Sequence, residues 1–380
     1  MYLDKPKGNS DCGVNRIDSS RGVPALLGAI RPIAVIMVGV ATIGAGSGCS
    51  RAPDTVSAQR RAIALLEQPR FQEPAGWQWG SLRNADGARL RFGWIDPAGA
   101  VRGVIIVAPS FQAPAEQYFE TARDLSRQGF AVWILDRRGQ GGSDGWPRAE
   151  RRAFLMGGLR EVRDLRQFTV LAVARYPNTP AYLIGESLGG LVGLRLLHDS
   201  PRLFAAAAFS SPGIDFQTNG VPKILYRILT ASTCALGLCE RYAITQHDWE
   251  FDAGAGGPTD PAKDDPERAL AAQARLLTHP ELREGGATNG FVRTLLEEAD
   301  TEESANWPEQ ISTPVLFGYT PTDRIARADI IQLMCGRIPR CTLARFVTSG
   351  HALFSDADGT RDSWMLQLES FLNGNTNKTL

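Results

Sequence analysis

Histidine is scarce in this chain, with four among 380 residues. A shortage of that kind turns the search for a general base into one of elimination. Charge of one sign is also missing in excess, because 41 Lys and Arg balance 41 Asp and Glu. No overall field would steer the chain to nucleic acid or to a strongly anionic surface, so nucleic-acid binding is not expected. The apolar segment 33–48 has 16 residues, short of the roughly 20 that a membrane-spanning helix needs. Internal repeats and extended low-complexity tracts are absent too. What is present is a 43% hydrophobic composition, ample for the core of one large domain or two ordinary ones.

The N-terminus departs from globular composition. A polar stretch with Lys5, Lys7, Arg16, Arg21 and Arg31 runs into the apolar, small-residue segment 33–48, which is the order of a secretory signal. The segment ends in Ser47, Gly48, Cys49, Ser50, similar to a bacterial lipobox. Residues 1–48 are therefore expected to be a lipoprotein-type signal, Cys49 the lipidated residue, and 49–75 a linker to the domain. The expected location is a membrane lipoprotein facing the bacterial periplasm, with a secreted form or an uncleaved anchor as alternatives.

Removing Cys12 with the signal and assigning Cys49 to lipid leaves Cys234, Cys239, Cys335 and Cys341. Three pairings are formally open. Local bridges, Cys234 to Cys239 and Cys335 to Cys341, would close small loops of the kind that oxidising compartments permit. A zinc site is the rival, although neither spacing is the short CxxC knuckle of a tetrahedral thiolate site. No metal or cofactor is expected.

Trp77 and Trp79, then Leu90, Phe92 and Trp94, recur at period two on either side of the turn-prone stretch Asn84 to Gly87, as in a half-buried hairpin. From Gly103 the pattern changes to continuous apolar runs, GVIIVA, AVWIL, AYLIG, FAAAAFS, PVLFGY and LARFV. Helical segments separate them: Glu116 to Gln128, Leu159 to Arg175, Leu188 to His198 and Ile325 to Cys335. That alternation predicts a doubly wound α/β fold with a mostly parallel sheet. Residues 76–212 and 311–375 form the expected core, and 213–310, without a clear strand, an inserted and mainly helical cap. Within the cap, the Gly, Pro and Asp rich loop 253–265 reads as its most mobile part.

Ser187 stands in Gly185, Glu186, Ser187, Leu188, Gly189, between an apolar strand and an apolar helix. The five letters alone are a weak signal; strand before and helix after make them a nucleophile elbow. Glycine at both flanks, with Gly190, lets backbone approach a strained turn while the hydroxyl projects into a cleft. A serine capping a helix after a glycine turn is the structural alternative.

Serine needs a base. His198 lies 11 residues along the same helix, on the order of 16 Å up its axis, and is a surface or packing residue. His247 and His279 fall in the cap. His351, in a loop directly after LARFV, sits where the base of such a site is carried. An orienting carboxylate is due between Ser187 and His351 in chain order, and Asp323, in the turn after PVLFGY, meets that need. An N-cap of the next helix is its other reading. Oxyanion donors are expected from the backbone N–H groups of Leu188 and Phe111.

Over residues 76–373 these features resemble the monoacylglycerol lipase and lysophospholipase branch of the α/β-hydrolases, which is serine aminopeptidase-like. LDRRGQGGSDG at 135–145 is similar to that branch's D-x-R-G-x-G-x-S turn, and THPELREGGATNGFVRTLL to a cap segment of bacterial lysophospholipases. GHALFSDADGTRDSWMLQLESFL resembles their closing His loop and last helix. Two positions depart from the pattern: Pro109 and Ser110 stand where His-Gly is usual, and Glu186 where His is common.

Val221, Ile224, Leu225, Ile228 and Leu229 recur at helical spacing and form one apolar stripe in the cap. Such a stripe either packs on the core or roofs an acyl tunnel. The resemblance implies hydrolysis of a monoacylglycerol or lysophospholipid through an acyl-enzyme. A general carboxylesterase or serine peptidase of the same fold, and a catalytically silent lipid-binding module, are the competing readings.

Overall fold

The computed structural model describes residues 55–145, 159–218, 220–252 and 265–376. The expected signal at 1–48, Cys49 and nearly all of the loop 253–265 lie outside the described residues.

The hairpin forms first, from β1 (Gln78–Arg83) and β2 (Arg89–Ile95), paired antiparallel around a turn in which Gly87 has φ 86°. The continuous apolar runs become β3 (Gly103–Ala108), β4 (Phe130–Leu135), β5 (Ala181–Glu186), β6 (Ala206–Ser210), β7 (Val315–Tyr319) and β8 (Cys341–Arg345). The sheet order is β1-β2-β4-β3-β5-β6-β7-β8, and from β4 onward every pairing is parallel. Alternation along a strand then feeds two cores. Val104 and Ile106 point into a cluster with Leu165, Phe168, Leu194 and Ile331, whereas Ile105 and Val107 join Phe119, Leu125, Trp364 and Leu368 on the other face.

Helices cover both faces, as a parallel sheet requires. Helix α2 (Phe119–Arg127) and the last helix pack on one side, and α3 (Leu159–Val173) and α4 (Leu188–Asp199) on the other, joined there by the helix after β7. The strand expected at LARFV is shifted two residues upstream, because β8 pairs with β7 from Val315 opposite Cys341 to Tyr319 opposite Arg345. Phe346 still donates its N–H to Tyr319 O at 2.9 Å.

Two expectations need correction. Residues 55–65, expected in the linker, form helix α1 (Thr55–Leu65), whose buried Ala58 and Ala62 lie one turn apart against the cap. Two small residues on one helix face let backbones approach closely, and a chain that ties down its own backbone is not a free spacer. Phe71 beyond it is buried, and its carbonyl accepts from Arg275.

The cap stripe is the second correction. In the interval 213–310 the described residues contain α5 (Lys223–Ala235), α6 (Pro266–Thr278) and α7 (Asn289–Glu303). Helix α5 lies on α7, with Thr230 buried between them, whereas Val221, Ile224, Leu225 and Ile228 are exposed. Four of the five stripe residues therefore face solvent, and Leu229 alone of them is partly buried. Cys234 in the last turn of α5 forms a disulfide with Cys239, and Cys335 of α8 (Ala328–Arg337) with Cys341 at the start of β8.

Candidate active site

Ser187 follows β5 and opens α4 with φ 49° and ψ −115°, a strained conformation for a side chain with Cβ. The turn exists because neighbours leave no room for anything but glycine beside it. A Cβ on Gly189 would lie 1.9 Å from Ala108 O, and one on Gly185 2.7 Å from Gly189 O. The end of β3 is thus pressed against the start of α4. Ser187 itself is 4% exposed, at the carboxyl edge of the sheet.

Ser210, the last residue of β6, ties two loops at that edge. Its carbonyl accepts the Ser187 N–H at 3.0 Å and its hydroxyl accepts the Leu353 N–H at 3.1 Å. The elbow and the loop that carries His351 are therefore fastened to one residue. His351 Nδ1 is 2.8 Å from Asp323 Oδ2, while Asp323 Oδ1 accepts from the N–H groups of Ile325 at 2.8 Å and Ala326 at 2.9 Å. Both readings of Asp323 hold in part: it binds the imidazole and it closes the turn that leads to α8. Burial would raise the Asp323 carboxyl, but His351 and the two backbone donors outweigh it and hold the group below its ordinary 3.8. The nitrogen at which His351 carries its proton follows from that bond, since an N–H toward the carboxylate leaves Nε2 as the acceptor.

Asp356 fixes the rest of the His loop, taking the Gly350 N–H on Oδ2 at 2.7 Å and the Ala357 N–H on Oδ1 at 2.7 Å. Leu188 is the first residue of α4, so its N–H is one of the donors that no carbonyl within the helix can reach. Its side chain clusters with Leu191 and with Phe291 of α7, and Phe111 packs against the same group. The rings of Phe111 and Phe291 are 5.0 Å apart. The two expected oxyanion residues thus meet under the cap, which Gln112 also grips by donating to Glu284 O at 2.9 Å and Gly285 O at 3.0 Å.

The remaining histidines are elsewhere. His198 stacks on Trp307 with centroids 4.7 Å apart, His247 Nδ1 lies 2.7 Å from Asp248 O, and His279 lies 3.0 Å from Glu281. The four cysteines weighed for zinc are consumed by the two disulfides, and no cluster of three or more His, Cys, Asp or Glu suited to a metal occurs among the described residues.

Sequence reading passed over Ser210, Asp356 and Gln140. Gln140 is fully buried in the DRRGQGGS turn, and its amide donates to Ser110 O at 3.0 Å and to Ala113 O. Its place inside that turn was the available signal, as was the second carboxylate in the His loop for Asp356. Ser210 offered none, because only strand pairing puts it beside Ser187.

In sequence and in fold the chain is similar to several known hydrolases. Over 157 residues the chain is 30% identical to a monoglyceride lipase of Homo sapiens, covering 41% of this chain and 50% of that protein. It is 26% identical over 206 residues to lysophospholipase L2 of Escherichia coli K12, covering 50% of this chain and 55% of that one. The chain spans about half the length of these curated relatives. Among solved structures, a soluble variant of monoglyceride lipase from Saccharomyces cerevisiae, in complex with a substrate analog, superposes with TM-score 0.63 at 16% identity. That match covers 81% of this chain and 97% of the yeast chain, and at such identity it speaks to the fold. A carboxyl esterase from Bacillus coagulans gives TM-score 0.62 at 14% identity, covering 80% of this chain and 100% of its own. The profile of serine aminopeptidase S33 matches residues 99–358. A match that runs from just ahead of β3 to the start of the helix after the His loop places the chain in the serine aminopeptidase S33 family of α/β-hydrolases.

Proposed function

We propose that the chain hydrolyses carboxylic esters of single-chain lipids, a monoacylglycerol or a lysophospholipid, through Ser187, His351 and Asp323. The observation that carries this reading is the bond from His351 Nδ1 to Asp323 on a loop fastened, through Ser210, to the Ser187 elbow. Ser187 Oγ attacks the ester carbonyl carbon and gives its proton to His351 Nε2. Asp323, kept ionised by its three donors, stabilises the imidazolium that forms. The N–H groups of Leu188 and Phe111 take the charge on the carbonyl oxygen. The bond to the leaving alcohol breaks as His351 returns the proton to the alcohol oxygen. Water then attacks the acyl-enzyme, its proton passing to His351 and on to Ser187 Oγ as the fatty acid leaves.

Two features support a lipid over a peptide. The wall above Leu188 is apolar, built by Leu191, Phe291 and Phe111. The segment from Ser211 to Gln217 that borders the elbow leads towards α5, and Val221 ahead of that helix with its Ile224, Leu225 and Ile228 faces solvent, a surface suited to substrates that reside in lipid. The relatives named above carry the same chemistry in their names.

Export with lipidation at Cys49 is part of the proposal, supported by the lipobox-like Ser47, Gly48, Cys49 and by two disulfides of a kind that oxidising compartments keep. A Cys49→Ser variant is expected to leave the membrane fraction; retention there would reject the anchor.

The chemistry is tested with a fluorophosphonate probe and esters of graded chain length. Labelling is expected on the wild type and lost in Ser187→Ala, with long monoacyl esters turned over at least tenfold better in kcat/KM than acetate esters (on the order of 1.4 kcal/mol). Faster cleavage of short esters or peptides would reject the lipid assignment. Lipid binding without labelling would favour a silent binding module.

A further inference from the structure

The two departures from the family pattern, at 109–110 and at 186, are far apart in sequence and joined in space by one side chain. Tyr118, at the end of the short 3-10 turn Ala115–Tyr118, is 3% exposed. Its hydroxyl oxygen accepts the Ser110 N–H at 2.9 Å, and its hydroxyl proton goes to Glu186 Oε2 at 2.8 Å. Glu186 is also 3% exposed and immediately precedes the nucleophile. On its other side Ser110 gives its carbonyl to the Gln140 amide. Both backbone groups of residue 110 are therefore held by buried side chains, one residue before the N–H of Phe111.

We infer that Glu186 and Tyr118 are positioning residues that set the peptide at Ser110 and, through it, the direction of the Phe111 N–H. The inference rests on the esterase reading above, in which that N–H stabilises the oxyanion. A hydroxyl can turn its proton to either side. An acceptor at 186 removes that freedom, because a proton committed to Glu186 Oε2 leaves the phenol oxygen with lone pairs for Ser110, and each hydrogen bond in such a chain polarises the next. Residue 110 carries a side chain where the related loops have glycine, so the loop has less conformational latitude of its own. The end of β3 cannot adjust either, since Ala108 O already touches the start of α4 at Gly189. Fixing the Ser110 peptide from outside is the means left to aim the next N–H.

The test compares Tyr118→Phe, Glu186→Leu and Glu186→Gln with the wild type, first checked for intact folding by thermal unfolding. With p-nitrophenyl butyrate, Tyr118→Phe and Glu186→Leu are expected to lose about 10- to 100-fold in kcat, with KM within about twofold, less than the loss of an oxyanion donor outright. Binding of a trifluoromethyl ketone, whose adduct is tetrahedral, should weaken by the same factor. Glu186→Gln keeps an acceptor oxygen and should recover most of the loss, and the double variant Tyr118→Phe with Glu186→Leu should be no worse than either alone. Hydrogen exchange at the Ser110 amide should accelerate in the two damaging variants and stay slow in Glu186→Gln. Multiplying losses, a change in KM rather than kcat, or a Gln variant as poor as the Leu variant would overturn the inference. A wild type that neither cleaves esters nor takes the fluorophosphonate would reject the esterase reading instead, while the exchange measurement would still judge the pinning of Ser110.

Discussion

At the carboxyl edge of the sheet and at the seam between α4 and α7, the molecule buries carboxylates and treats them in opposite ways. The Asp323 side chain is 0% exposed and receives three hydrogen bonds, one from His351 and two from backbone. Glu302, near the end of α7, is 0% exposed, and neither of its oxygens has a hydrogen-bond partner among the described residues. The charges that act on it are those of Glu298 and Arg195, whose closest atoms are 3.4 Å apart, and of Glu303. Burial raises Glu302, the Glu298 charge raises it further, and Arg195 does not outweigh them, so it titrates well above 4.5. Burial is common to both groups. At Asp323 the donors outweigh it, and at Glu302 Arg195 does not.

Glu284 lies between these cases. It is buried, and its partner Arg137 lies at 2.9 and 3.1 Å from its two oxygens; burial still leaves its carboxyl above the ordinary value. These three carboxylates thus form a series with three donors, a cationic partner beside the Gln112 N–H, and none among the described residues.

The sharpest break comes from Asp323→Asn, expected to cut kcat by about 10³- to 10⁴-fold, measured with a soluble ester, since the amide cannot hold the same tautomer. Its pH signature has a definite sign. Because folding lowers the Asp323 pKa, the stabilisation is complete above its unfolded value near 3.8 and is lost as pH falls through the lower folded value. The melting-temperature gap between wild type and Asp323→Asn should therefore narrow from pH 7 to pH 3; a constant gap would contradict the assignment.

Next in size is Arg137→Met, which leaves Glu284 buried without its partner and should cost about 3–5 kcal/mol in urea unfolding. A loss under about 1 kcal/mol would mean that the guanidinium is dispensable there, and the series would collapse to two cases. The smallest effect is expected at Glu302. Between 4.5 and its raised folded pKa the native state holds a proton that the unfolded chain releases, so stability falls as pH rises. Glu302→Gln removes that titration and should stabilise the protein by on the order of 1 kcal/mol at pH 8 but not at pH 4. An equal effect at both values would show that packing, not charge, governs the seam.

Much of this architecture is legible in the chain. GVIIVA and AVWIL lie in their strands, the serine lies between strand and helix, and the chain order of Ser187, Asp323 and His351 matches the edge on which they are found. Legibility ended where a residue's role depends on a distant partner. Ala58 and Ala62 look like part of a polar linker until α6 is beside them, and the stripe on α5 looks like a core face until α7 is found on its other side. Tyr118 reads as an ordinary apolar helix residue, with nothing nearby in sequence to mark the bonds to Ser110 and Glu186.

Period and local sterics, both properties of neighbouring residues, determined the strands, the crossover helices and the glycine-flanked elbow from the sequence alone. Only the tertiary structure decided which buried acids receive donors and which have none among the described residues, and which helix face stays in solvent. Those outcomes depend on groups brought together from separate segments, and hydrogen-bond satisfaction is a property of the assembled neighbourhood.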